Sequence, residues 1–455
     1  MGVAPPPSVS SGVIDRVRSD MRSQRAARGA WPPGELSFSI ARTREFERNP
    51  LPLLLRCHER FGPVFTIRLL YAPIVFALGP EANHYITVSH ASKFRWRDGG
   101  MGDLIPLLGD GLLTTDGDYH RRARRIMLPA FHREQLAASA SIMAEEADRA
   151  LADWRPGDHI DLYSWTRRLA LRVAMRALFG FDPEKSSGDA EMARQFEEAL
   201  GFWGKEYVVQ MLRGPGSPWR SMNRAREQLD SVIFAEIARR RASGKRGNDI
   251  LSLLLDAEDE DGSGLCDQEL RDQVMTLLFA GHDTTTSTVT FLFFELARNP
   301  GEIGPLVTGG DAPTPLDMAV DEILRMYPPA WIGPRRSVEA FELCGVRVPA
   351  GVNVNYCSWA SHHLAEVFPE PEQFRPSRFS PEAKAALPKG AYVPFGGGSR
   401  TCIGMRFGQL EVKAIAASIL RRFRLELAEP ERKVSIRQMP TLSPRGGMPV
   451  IVREP

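Results

Sequence analysis

Cysteine is scarce in this chain. There are five in 455 residues, Cys57, Cys266, Cys344, Cys357 and Cys402, widely separated and without a C-x-x-C pair. That spacing excludes a zinc ligand set and a disulfide framework. An odd count fits a reducing compartment in which one thiol works and four are packing residues. A surplus of one charge sign is also missing: Lys and Arg total 58 against 56 Asp and Glu, a net charge of +2. So even a balance argues against nucleic acid as the main partner. Long apolar runs are absent too. Leu51–Leu55 and Val289–Phe294 are the densest patches, far short of the roughly 20 residues that cross a bilayer. The Pro-, Ser- and Arg-rich start lacks the apolar stretch of a secretory signal. What the chain does have is a 43% hydrophobic fraction, enough for a large core. These features predict a cytoplasmic protein with a loosely ordered lead-in over residues 1–30 and a single domain over 31–455.

Apolar periodicity predicts a mainly α fold with small peripheral β-sheets. Helices are expected over 42–61, 134–154, 162–179, 190–212, 221–242 and 249–257. One very long helix is expected from Cys266 to Asn299, ended by Pro300. Val64–Leu69 and Ile74–Leu78 alternate as a hairpin. Short strands are expected at Phe341–Leu343, Val346–Val348, Val352–Tyr356, Phe423–Leu427 and Pro449–Val452. Thr314-Pro315-Leu316-Asp317 has the form of a helix start. The long helix breaks its own rules at Ala280-Gly281-His282-Asp283-Thr284-Thr285-Thr286, where poor helix formers stand between apolar flanks. A polar weak point inside a buried helix points to a functional site. The plainer alternative is a Thr-rich face bonding back to its own carbonyls.

The most informative stretch is Phe395-Gly396-Gly397-Gly398-Ser399-Arg400-Thr401-Cys402-Ile403-Gly404, with a helical pattern after it. A cysteine near a helix N-terminus is expected to favour the thiolate, a soft metal ligand. The glycines permit close approach of something large and flat. Arg400 offers a charge for a carboxylate on that object. Together they suggest haem held by one thiolate. Two further pairs are ambiguous alone. His120 and Arg124 share a helix face, as a solvated basic surface also would. Glu322 and Arg325 are spaced as an ordinary surface bridge.

In this order the segments resemble the cytochrome P-450 family of haem-thiolate monooxygenases, over most of the chain from Trp31 onward. Phe395, Gly398, Arg400, Cys402 and Gly404 fit its Phe-x-x-Gly-x-Arg-x-Cys-x-Gly signature. Ala280, Gly281, Asp283 and Thr284 fit its long-helix motif, and Glu322 and Arg325 its Glu-x-x-Arg. The resemblance implies a triangular, mainly helical fold with haem b between the long helix and the helix after Cys402. Cys402 is the implied axial ligand, with Phe395 packed beside its sulfur. His120, Arg124, Arg336 and Arg400 are the implied propionate partners, and Glu322, Arg325 and Arg378 a buried triad. Gly281 would leave room for O2, Asp283 and Thr284 would relay protons to it, and His282 would face away.

Electrons are then expected from NAD(P)H only indirectly, through a separate ferredoxin or flavodoxin and its reductase. Arg121, Arg122, Arg125 and Arg406 are candidates for a basic docking face on a monomer. The expected substrate is lipophilic, of the terpenoid, fatty acid or steroid class, between Leu104, Ile105, Phe279, Trp331, Ile332 and Leu442. Two alternatives stand beside this: a peroxide-using peroxygenase or isomerase of the same fold, and a non-catalytic haem-binding protein.

Overall fold

The structure is a computed structural model that describes residues 31–302 and 314–455 except positions 185, 206, 211 and 246, together with residues 18, 21, 22 and 25. Most of the lead-in expected at 1–30 thus lies outside the described residues. Eleven helices carry the argument: α1 (Ile40–Arg48), α2 (Pro50–Phe61), α3 (Gly117–Met127), α4 (Arg133–Leu151), α5 (Leu162–Phe179), α6 (Ser187–Gly201), α7 (Pro218–Ser243), α8 (Ile250–Asp256), α9 (Asp267–Arg298), α10 (Pro315–Met326) and α11 (Met405–Leu420). One six-stranded sheet lies beside them. Its strands are β1 (Gly34–Glu35), β2 (Val64–Leu69), β3 (Ala72–Ala77), β4 (Phe94–Arg95), β5 (Gly333–Ser337) and β6 (Asn353–Tyr356), in the order β1-β2-β3-β6-β5-β4. Smaller ladders pair Phe341–Leu343 with Val346–Val348 and Arg424–Leu427 with Pro449–Arg453.

Local chemistry explains most boundaries. The helix expected over 42–61 is two helices: Asn49 is extended, its side chain accepts from the Leu51 N–H, and Pro50 opens α2. Thr314 and Asp317 close a reciprocal capping box on α10. α6 ends at Gly201 instead of reaching 212. The long helix is continuous for 32 residues, about 48 Å, through its Gly and Thr run. It is the spine of the molecule, packed against α5 on one side and α11 on another, with α4 backing α11. The apolar faces of these helices merge into one large core. Two smaller cores flank the sheet. Among the described residues no helix is long and apolar enough to cross a membrane.

Candidate functional site

The cysteine turn is held by backbone geometry only glycine tolerates. Gly396 and Gly398 have φ of +69° and +58°, in the left-handed region. A Cβ on Gly398 would stand 2.4 Å from the Thr87 carbonyl oxygen. The Cys402 N–H donates to the Phe395 carbonyl at 2.9 Å, closing the turn and keeping the Phe395 ring at the edge of the main core. Cys402 is exposed on one side and ringed by protein on the others. The Gly404 N–H donates to its sulfur. In the chain alone the surroundings of the sulfur favour the thiol over the thiolate. Burial pushes the thiol up, the Gly404 N–H and the Arg124 charge pull it down, and burial wins. A bound metal cation would displace the proton.

Beside the turn lies a cluster of cations. Arg400 donates to the carbonyls of Leu112 and Thr115 at 3.3 and 2.7 Å and pairs with Asp116 at 2.7 Å. Burial lowers it to about 10, against the pull of Asp116. His120 is buried and driven down to about 3, first by burial and then by Arg400 and Arg124, so in the chain alone it is neutral. Arg124 makes no ion pair among the described residues, and burial lowers it. Of the two neighbours on β5, the structure selects Arg335, where the sequence pointed to Arg336. Alternate residues of β5 turn inward, and Arg335 is one of them, 3% exposed and beside Arg400. Arg336 turns the other way and donates to the carbonyls of Gly351 and Asp98 at 3.0 and 3.4 Å. In this inner cluster three guanidiniums, Arg124, Arg335 and Arg400, meet one carboxylate, Asp116, and the exposed Arg95 acts on Arg400 from outside, so positive charge is in excess. The donor set therefore fits a flat group with two carboxylates on one edge and a thiolate-binding metal at its centre.

The long helix presents the opposite wall. It is buried from Leu270 to Leu296 except at Phe279, Ala280, Gly281 and Thr284, which open on one side. A Cβ on Gly281 would meet nothing within 4 Å. The Thr284 hydroxyl donates to the Ala280 carbonyl at 2.7 Å, and Thr286, Thr288 and Thr290 bond back in the same way, so the plainer reading of the Thr run holds for its hydrogen bonds. His282 points away from the opening: its Nε2 lies 3.1 Å from the Arg167 carbonyl and its ring packs on Phe196. Asp283 is 4% exposed and paired with Arg167 of α5 at 3.3 Å. One further contact joins residues distant in the chain. Thr285 donates at 2.8 Å to Glu411 of α11, a fully buried carboxyl that burial pushes up to about 8.

The three members of the expected triad meet. Arg325 binds Glu322 through two bonds of 2.7 and 2.9 Å, with both side chains fully buried. Arg378 approaches the same carboxylate at 3.4 Å, and the Arg375 N–H donates to it at 3.0 Å. Arg325 also donates to the carbonyls of His362 and Pro371. These bonds tie α10 to the segment leading to the cysteine turn.

Two groups are placed otherwise than expected. Among the wall residues, Leu104 and Phe279 join the main core, and Ile105 is half-buried nearby. Trp331, Ile332 and Leu442 belong to the separate core under α2. The Trp331 indole N–H donates to the Gln438 carbonyl and its ring packs on Phe46 and Trp359, because a buried indole needs a partner. Among the docking arginines, Arg125 grips Asp259 with bonds of 2.6 and 2.8 Å, and Arg122 is held by Glu269 and the Gly264 carbonyl. Arg121 pairs with Asp118. Arg406 alone of the four is exposed without a carboxylate among the described residues.

A family profile described as Cytochrome P450 matches residues 31–303 and 314–448. The chain is 32% identical over 435 residues to a cyclooctat-9-en-7-ol 5-monooxygenase of Streptomyces melanosporofaciens, covering 91% of this chain and 93% of the relative. It is 35% identical over 426 residues to a cyclooctatin synthase of the same organism, covering 90% and 92%. Among solved structures, a retinoic acid-bound cyanobacterial CYP120A1 superposes with a TM-score of 0.79 at 27% identity, covering 94% of this chain and 99% of that one.

Proposed function

The chain belongs to the cytochrome P450 family and is a monooxygenase of that class; from that premise we propose that it hydroxylates a lipophilic small molecule of terpenoid type with electrons from a separate ferredoxin- or flavodoxin-type protein and its reductase. One observation carries the reading. Two stretches stay open to solvent beside a tightly packed core, the Cys402 turn just before α11 and the Phe279–Gly281 and Thr284 positions of the otherwise buried α9. The terpenoid class rests on the relatives, one of which is named for a polycyclic alcohol and both for the cyclooctatin chemistry.

Haem, when bound, supplies O2 activation and oxidation of a C–H bond. Cys402 would hold its iron through the sulfur, with the Gly404 N–H moderating the sulfur's charge. Arg124, Arg335 and Arg400, with His120, would hold its two carboxylates. His120, kept neutral first by burial and then by the neighbouring arginines, can still donate one ring N–H to such a carboxylate. Gly281 leaves space where a side chain would intrude. The Thr284 hydroxyl keeps its lone pairs free for a second bond while donating to Ala280. Asp283 reaches towards solvent through Arg167, which is 28% exposed. Exchange of that ion pair for water lets the carboxylate pick up a proton and pass it towards Thr284. The intact Asp283–Thr284 pair favours O2 with external electrons over peroxide use. The test is product formation from a terpenoid panel with NADPH, ferredoxin and reductase, against the same panel with peroxide. Turnover only with peroxide would replace this reading with the peroxygenase one.

A further inference from the structure

The cation cluster poses a physical problem that ion pairing does not solve. Arg335 is a fully buried guanidinium with no carboxylate in ion-pair contact among the described residues. It donates to the carbonyl of its own neighbour Pro334 at 2.9 Å, hydrogen-bonds the Tyr356 side chain and feels the Asp116 charge at a distance. Arg400, of the same sign, stands close by. A buried cation needs some substitute for water. The nearest aromatic substitute is Trp96. The guanidinium carbon of Arg335 lies 3.6 Å from the centroid of the indole, and that of Arg400 lies 5.0 Å from it. Tyr356 adds a second ring at 5.2 Å from Arg335.

The placement follows from the sheet. β4 and β5 run antiparallel with Phe94 opposite Ser337 and Arg95 opposite Arg336, so the next step of the register brings Trp96 level with Arg335. Phe94 is buried and Arg95 exposed, and the pleat returns Trp96 to the inward side that Arg335 and Ser337 also take. Asp116 then locks the assembly. It stands at the N-cap position of α3, yet its carboxylate does not cap the helix. It accepts from the Trp96 N–H at 3.0 Å and the Arg97 N–H at 2.9 Å while pairing with Arg400.

We propose that Trp96 is a positioning residue for the haem carboxylates: its ring holds Arg335 and Arg400 side by side, presenting two like charges as one anion-binding edge. The proposal rests on the haem-thiolate reading above. The ring face carries partial negative charge and is worth most to a cation shielded from water. Removing the ring leaves the two guanidiniums to repel each other, and their geometry toward the carboxylates loosens.

The test is the rate at which haem-loaded full-length protein loses haem to excess apomyoglobin. Trp96→Leu is expected to speed loss on the order of tenfold, the equivalent of about 1.4 kcal/mol. Trp96→Phe, which keeps an aromatic face, is expected to restore most of that. In an Arg335→Met background, Trp96→Leu is expected to add less than about twofold, because its target is gone. A 5,7-difluorotryptophan placed at position 96 alone keeps the shape and drains the ring face, and is expected to speed loss about threefold. That arm stands even where the leucine variant fails to fold. The proposal is overturned if the difluoro protein loses haem at the wild-type rate, or if Trp96→Leu costs as much with Arg335 absent as present. Failure of the haem reading itself shows differently, as wild-type protein that takes up no haem.

Discussion

Glu411→Gln is expected to make the protein more resistant to alkaline pH. Glu411 is 1% exposed, accepts one hydrogen bond from Thr285 through Oε2, and leaves Oε1 without a partner. Burial raises it from an ordinary value of 4.5 to about 8. The sign follows from linkage. Between those two values the unfolded chain releases the proton and the folded chain keeps it, so stability falls as pH rises. The loss is absent below 4.5, grows by about 1.4 kcal/mol per pH unit, and is complete above about 8. Glutamine offers an acceptor to Thr285 and does not titrate. Its own burial costs the same at every pH, so the slope isolates the effect. From pH 5.5 to 7.5 the stability difference between variant and wild type should widen in favour of glutamine by about 3 kcal/mol. Denaturant unfolding followed by tryptophan fluorescence at matched haem loading measures it. A difference that stays flat across this range would refute the claim that Glu411 is buried as a neutral acid between α9 and α11.

Two other substitutions bear on the site. Arg325→Ala leaves Glu322 buried with only Arg378 near, at 3.4 Å, and should cost about 3–5 kcal/mol; the readout is the fraction of purified protein that retains haem, expected to collapse, while Arg422→Ala at the partly exposed Asp148 pair should leave it unchanged. Asp283→Asn should lower kcat by about 10²-fold and leave the substrate Kd near its wild-type value; equal loss of both in titration and turnover assays would remove Asp283 from the proton path.

What the sequence made legible was whatever lies within one element. The Thr-Pro start of α10, the Glu322–Arg325 spacing, the long helix and the glycines of the cysteine turn are local patterns, and the structure has each of them. Contacts between distant segments were not legible. Gly333-Pro334-Arg335-Arg336-Ser337 has no β-branched residue to mark a strand, so its pleat, which separates Arg335 from Arg336, could not be read. Trp331 looked like a pocket wall because nothing local reveals that its indole N–H has a carbonyl 107 residues away. Thr285 and Glu411 are 126 residues apart, and each looks ordinary on its own helix. Arg122 and Arg125 of α3 looked free because their acidic partners, Glu269 in the first turn of α9 and Asp259 in the loop before it, lie more than 130 residues away.

The most direct measurement is the absorption difference spectrum of reduced, haem-loaded protein with and without carbon monoxide, taken on wild type and on Cys402→Ser. The expected result is a thiolate-type carbon monoxide band in wild type and its loss in the variant, with haem still bound by the cation cluster at reduced affinity. A well-folded, haem-loaded wild type without that band, or a Cys402→Ser protein that keeps it, would contradict Cys402 as the axial ligand.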